Sequence, residues 1–176
     1  MKTAPKIVVL EDDRASRALI TLYLEKAGYQ VYPAGEGRYA IELVVKERPV
    51  LLIADVMIPD LNGSEVVKRL LATSFGCQLN ALFLTSLLSK NGSQDEETKL
   101  SVDGKEFPAL SKPFKGPLLL KIVDKIVGES VKADEAQKAK VIDTVEGEIG
   151  ASVQVQAEAA NDSLAEGSAE TSVAEN

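Results

Sequence analysis

Three places in this 176-residue chain set chemically able side chains directly behind apolar runs, and a fourth sets one just before such a run. Lys6 to Leu10 (KIVVL) stops at Glu11-Asp12-Asp13. Val50 to Ala54 (VLLIA) stops at Asp55, Pro59 and Asn62-Gly63 then mark a loop, and Ser64 is the expected N-cap of a helix over Glu65 to Leu71. Leu79 to Thr85 (LNALFLT) ends on Thr85-Ser86, and Lys112-Pro113 stands just before the last apolar segment. Apolar runs this short, rich in β-branched residues, read as strands buried on both faces of a parallel sheet. In such a sheet all four places share the carboxyl edge, where ligands of open α/β sheets bind. Carboxylates gathered there repel one another, and a hard divalent cation relieves the repulsion. Mg2+ suits the role because it takes oxygen ligands and keeps several waters. A carboxylate beside Mg2+, an ammonium and a hydroxyl is set up to receive a phosphoryl group: Asp55 attacks, the metal and Lys112 neutralise the equatorial oxygens, and Thr85 donates a hydrogen bond. Taken singly each piece is ordinary, and Asp13 is expected only to cap the next helix. The ordered set on successive strand ends is what is specific.

The intervening segments supply the scaffold. Ala15 to Ala27 repeats apolar residues at helical spacing, with Gly28 as the stop. Tyr29 to Ala34 is a short strand, and Arg38 to Glu47 a second amphipathic helix ended by Pro49. Residues 86–106 are polar and glycine-containing, with at most a weak helix; Pro108 to Ser111 is a fifth short strand, and Gly116 to Val127 the final helix. Five β-α repeats with short loops predict a doubly wound α/β fold, a five-stranded parallel sheet with helices on both faces. Right-handed crossovers leave few topologies, of which 2-1-3-4-5 is a common one.

Composition narrows the function. The chain has no His, which removes Ser-His-Asp and Cys-His catalysis, His-containing zinc sites and any phosphohistidine of its own, so a phosphoryl group must arrive from elsewhere. One Cys permits no internal disulfide and fits a cytoplasmic address. The start reads as no signal peptide, and no stretch is long and apolar enough to span a membrane. Residues 1–128 hold 17 Lys and Arg against 16 Asp and Glu, whereas residues 129–176 hold 3 against 11. That shift predicts a globular domain over 1–128 and an acidic tail over 129–176, partly helical and then disordered. No basic stripe stands out, so nucleic acid is not an expected partner.

KIVVLEDDRASRALI, IADVMIPDLNGSEVVKRL with its D-x-x-x-P-x-x-N-G spacing, FLTS and LSKPF together resemble the receiver domain of two-component response regulators, from about Lys6 to Val127. The resemblance implies a flavodoxin-like fold and a set of roles. Asp55 matches the phospho-acceptor. Glu11 and Asp12 match the acidic pair that binds Mg2+ with Asp55, and Met57 would lend its backbone carbonyl to the metal. Thr85 matches the hydroxyl that moves toward the phosphoryl group, Lys112 matches the ammonium that binds it, and Pro113 would follow a cis peptide. The implied donor is a sensor histidine kinase or a phosphotransfer protein. The implied output is a protein–protein contact with a downstream partner, since the tail lacks the apolar residues to build an output domain. Self-phosphorylation and slow self-dephosphorylation would be incidental, so the chain is not expected to be an enzyme.

Two departures bear on the readout. The family usually has Tyr or Phe three residues before its Lys, where this chain has Ala109; Phe107 is expected to point to the opposite face of its strand and so not to replace it. The interval from Thr85 to Lys112 is long, and the helix-four region within it is polar and broken by glycine. Both departures fall on the output face and predict an intact acceptor site with an unusual readout. They also favour an alternative, a pseudo-receiver that binds partners independently of phosphorylation. An enzyme or flavin protein of the same fold class would need a glycine-rich phosphate loop after the first strand, where EDDRAS is acidic.

Overall fold

The computed structural model describes residues 4–74, 79–86 and 98–130. The chain divides into two units, Met1–Val131 and Lys132–Asn176, and every described residue lies in the first. The elements follow in order: β1 (Lys6–Leu10), α1 (Arg14–Lys26), β2 (Gln30–Ala34), α2 (Gly37–Glu47), β3 (Leu51–Asp55), α3 (Gly63–Leu71), β4 (Ala81–Thr85), β5 (Thr98–Val102), β6 (Lys105–Ser111), and α4 over residues 116–130. Helix α4 runs past Gly128, where the charge shift begins, and the rest of the expected tail lies outside the described residues. Among the described residues no helix is long and apolar enough to cross a membrane.

The sheet has the order β2-β1-β3-β4-β6-β5. Its first five members are parallel and reproduce the expected 2-1-3-4-5 winding. The sixth is a correction to the five-stranded expectation: β5 runs antiparallel to β6 and forms the far edge, in the stretch read as polar with at most a weak helix. Its cause is local. Asp103 (φ 52) and Gly104 (φ 80) form a two-residue turn with both central residues left-handed, the geometry that matches strand twist in a hairpin. Strand β6 accordingly begins at Lys105, not at Pro108. Pro108 is tolerated because its pairing with β4 starts only at Ala109.

Side-chain alternation divides the core. Val8, Leu10, Leu52, Ala54 and Phe83 face α2 and α3, whereas Ile7, Val9, Leu51, Ile53 and Leu84 face α1 and α4. Phe107 lies on the same side as Ala109, within the α2/α3 core, which corrects the expectation that it faces the other way. The reason is the period of two: residues 107 and 109 of one strand share a face. Phe107 is buried and meets Phe83 edge-on, with ring centroids 6.0 Å apart, while Phe83 is the register partner of Ala109.

Helix ends follow local chemistry. The Asp13 carboxylate caps α1, accepting from the Ser16 N–H at 2.8 Å, and Gly28 (φ 91) follows its last turn. The cap of α3 is Asn62, whose side-chain oxygen accepts from the Ser64 N–H at 2.8 Å, so Ser64 is the capped residue and not the cap.

Candidate functional site at the carboxyl edge of the sheet

Four parallel strands deliver the site. The ladder continues one residue beyond β1, where the Glu11 N–H donates to the Ala34 carbonyl at 3.1 Å, and this leaves the Glu11 side chain buried at the strand end. Asp55 closes β3, with the next residue tied to β4 by a bond from the Val56 N–H to the Leu84 carbonyl of 3.0 Å. The loop after it folds back tightly. A Cβ on Gly63 would lie 2.1 Å from the Asp55 carbonyl oxygen, so only glycine fits. Thr85 is buried at the end of β4, and its carbonyl accepts from the Lys112 N–H at 2.9 Å. The Lys112-Pro113 peptide is cis, as expected.

The side chains converge. The Lys112 ammonium lies 2.5 Å from Glu11 Oε2 and 2.5 Å from Asp55 Oδ2. The other Asp55 oxygen, Oδ1, accepts from the Met57 N–H at 2.9 Å, while the Met57 side chain stays exposed. Glu11, Asp12 and Asp55 each offer a carboxylate oxygen within 4.8 Å of the others, with Asp12 on the solvent side. The structure thus brings together Glu11, Asp12, Asp55 and Lys112, and holds Thr85 beside them through the backbone.

Burial pushes the Glu11 carboxyl above its ordinary range, with Lys112 pulling it down and Asp55 adding to the rise. Burial alone would lower Lys112, but its hydrogen bonds to Asp55 and Glu11 outweigh that and hold its pKa above the usual lysine value. One ammonium therefore stays charged between two buried acids. The third carboxylate, Asp12, leaves the cluster rich in anionic oxygen, and the cluster is able to coordinate a divalent metal. Its donors are all oxygen, the set a hard cation takes.

Two further residues at this edge carry no signal in the spacing of the site residues. Arg17, one turn into α1, donates from Nη1 to the carbonyls of Glu11 at 2.5 Å and of Asp12 at 3.1 Å. Asp60, in the loop after β3, accepts from the Gly37 N–H at 2.8 Å and the Arg38 N–H at 3.2 Å, and so caps α2 from a distance. The one hint for Asp60 is that Glu36, at the N-cap of α2, is a poor capping residue and makes no side-chain cap bond.

Comparison with known proteins agrees with this geometry. The chain is 38% identical over 65 residues to sporulation initiation phosphotransferase F of Bacillus subtilis, a match covering 37% of this chain and 52% of that protein. With VanRc, a regulatory protein of Enterococcus gallinarum, it shares 33% identity over 109 residues, 62% of this chain and 44% of the relative. The chain thus spans about half the length, or less, of these curated relatives. Among solved structures, the chemotaxis response regulator CheY4 of Vibrio cholerae superposes with a TM-score of 0.60 at 29% identity, covering 70% of this chain and 99% of that one. The family profile described as the response regulator receiver domain matches residues 7–124. Because that match takes in the sheet edge with every site residue placed above, and most of the described fold, this chain belongs to the response regulator receiver domain family.

Proposed function

We propose that this chain accepts a phosphoryl group on Asp55 from a sensor histidine kinase or a phosphotransfer protein and signals by contact with a downstream protein in the cytoplasm. The observation that carries the reading is the Lys112 ammonium held between Glu11 and Asp55, with a third carboxylate alongside. The likeness to a named phosphotransferase supports it. Glu11, Asp12 and Asp55, with the Met57 carbonyl, are the residues that would hold Mg2+, which when bound neutralises charge on the phosphoryl oxygens. The donor set fits that ion because it is all oxygen, part buried and part open to solvent.

The chain's own residues do the rest. The Met57 N–H and Lys112 orient the Asp55 carboxylate. One of its oxygens attacks phosphorus, an O–P bond forms, the P–N bond of the phosphohistidine donor breaks, and the departing nitrogen keeps the electron pair. Asp55 thereby loses its carboxylate charge, and Lys112 and the Thr85 hydroxyl turn to the phosphoryl oxygens. Hydrolysis of the acyl phosphate later resets the site.

A second reading, a partner-binding module that works without phosphorylation, is favoured by Ala109, buried where the family usually has an aromatic residue, and by the β5–β6 hairpin beside it. Intact mass after incubation with Mg2+ and acetyl phosphate separates the two. We expect one added phosphoryl group on the wild type, and none without Mg2+ or in Asp55→Asn. No gain in folded wild-type protein would transfer the case to the second reading.

A further inference from the structure

Arg17 binds none of the reacting groups, yet it is built into the loop that presents them. Its guanidinium Nη1 donates to the carbonyls of both Glu11 and Asp12, the two residues whose side chains supply the acidic pair. The side chain is half-buried and reaches back from the first turns of α1, whose N-terminus is capped by the next residue, Asp13. On its other side lies Gly35, just after β2. An ideal Cβ at Gly35 would sit 3.0 Å from Arg17 Nη1, and its three nearest atoms all belong to that guanidinium. The φ of Gly35 is not left-handed, so this backbone does not itself demand glycine. What the missing side chain leaves is space for the arginine. The bond from the Glu11 N–H to the Ala34 carbonyl, which continues the β1–β2 ladder, lies at the root of the same two loops. The guanidinium is therefore a clamp that passes between the β1–α1 and β2–α2 loops and takes hold of successive carbonyls.

We propose that Arg17, with Gly35 making room for it, is a positioning residue that orients the Glu11-Asp12 pair for divalent-cation binding. The proposal rests on the receiver reading above. Its physics has a distinctive sign. By Coulomb's law alone, removing a cation bound to the loop that carries two of the three carboxylates should strengthen Mg2+ binding. If Arg17 instead holds the ligands in place, its removal weakens binding despite the better field, because outer residues that fix ligand orientation govern metal affinity.

The experiment is Mg2+ titration of the full chain by calorimetry, with thermal unfolding of the metal-free protein alongside. The proteins are wild type, Arg17→Met, Arg17→Lys, Gly35→Ala and the Arg17→Met/Gly35→Ala double variant. We expect Arg17→Met to weaken Mg2+ binding by about tenfold. Arg17→Lys should fall short of rescue, since an ammonium keeps the charge and loses the planar fork. Gly35→Ala, a mild change that keeps every charge, should weaken binding in the wild-type background and add nothing where Arg17 is already gone, the coupling expected of two residues in one contact. Affinity in Arg17→Met equal to or tighter than wild type overturns the proposal, as does a loss of thermal stability with Mg2+ affinity unchanged. Should Arg17→Met fail to fold, Mg2+ affinity equal to or tighter than wild type in both Gly35→Ala and Arg17→Lys would overturn it. A wild type that binds no Mg2+ sinks the receiver reading and this proposal together, whereas a wild type that binds with unaffected variants sinks this proposal alone.

Discussion

At the scale of single residues, the site is a balance of charge in a partly dry place. Glu11 and Asp55 are buried, and the Lys112 ammonium bridges them. Without that cation two carboxylates would face each other out of water, which is costlier than losing a surface pair. We expect Lys112→Met to lower metal-free stability by about 2 kcal/mol, less than a fully buried pair would lose because the Lys112 side chain keeps 19% of its exposure. Mg2+ should narrow that gap, since a ligand that binds the folded state stabilises it and the variant leaves the acids free to take the cation. Urea denaturation in chelator and then in excess Mg2+ measures both. A gap that stays the same in the two conditions would refute the exchange of Lys112 for the metal as neutraliser. Asp55 and Thr85 were legible in the sequence because each closes an apolar run, and Lys112 because Lys112-Pro113 stands between the last short strand and the last helix, so their place at the sheet edge follows from local pattern. Arg17 and Asp60 were not, because their partners are backbone groups, which every residue carries and no residue type announces.

At the scale of elements, the loop after β3 and the start of α2 are one unit. Asp60 supplies the cap that Glu36 does not, and its bond from the Gly37 N–H is the main reason its carboxyl lies below the ordinary range. A depressed folded-state pKa contributes stability that is present above the unfolded value, near 3.8 for Asp, and is lost as pH falls through the folded value. Asp60→Ala should therefore lower stability at neutral pH by about 1 kcal/mol, the usual worth of a capping oxygen. Its difference from wild type should fade as pH drops below the normal Asp range. Thermal unfolding from neutral pH to strongly acid pH tests this, and a difference independent of pH would remove the charge from the account. The β5–β6 hairpin shows how an element escapes pattern reading. The Asp103-Gly104 pair was the available signal, yet only five residues precede it as strand, with alternation as weak as half-buried Thr98 and Leu100 against exposed Lys99 and Ser101. Such a short, polar edge strand is defined by its pairing with β6 more than by its own composition.

At the scale of the whole molecule, the far edge of the sheet beyond β6 carries a strand, and the space next to Ala109 is already filled. Phe83 pairs with Ala109 in register and Phe107 packs edge-on against Phe83. Restoring the aromatic residue usual in the family should therefore overpack this core. We expect Ala109→Tyr to cost about 1–3 kcal/mol, read by chemical denaturation, with no gain in phosphorylation. A variant as stable as wild type would mean that the space beside β6 is open, and would return Ala109 to the account of the switch. Phe107 shares the face of Ala109 and meets Phe83 there, while residues 87–97 of the interval from Thr85 to Lys112 lie outside the described residues.

The sequence by itself determined the parallel β-α winding and the set of residues at its carboxyl edge, because buried runs, glycine stops and strand-end polar residues are local and periodic. Only the tertiary structure decided the sixth strand, the shared face of Phe107 and Ala109 as a packed pair with Phe83, and the clamps made by Arg17 and Asp60. Each of these depends on which backbone groups and side chains from distant segments come within hydrogen-bond or van der Waals reach, and that distance is set by the folded chain as a whole.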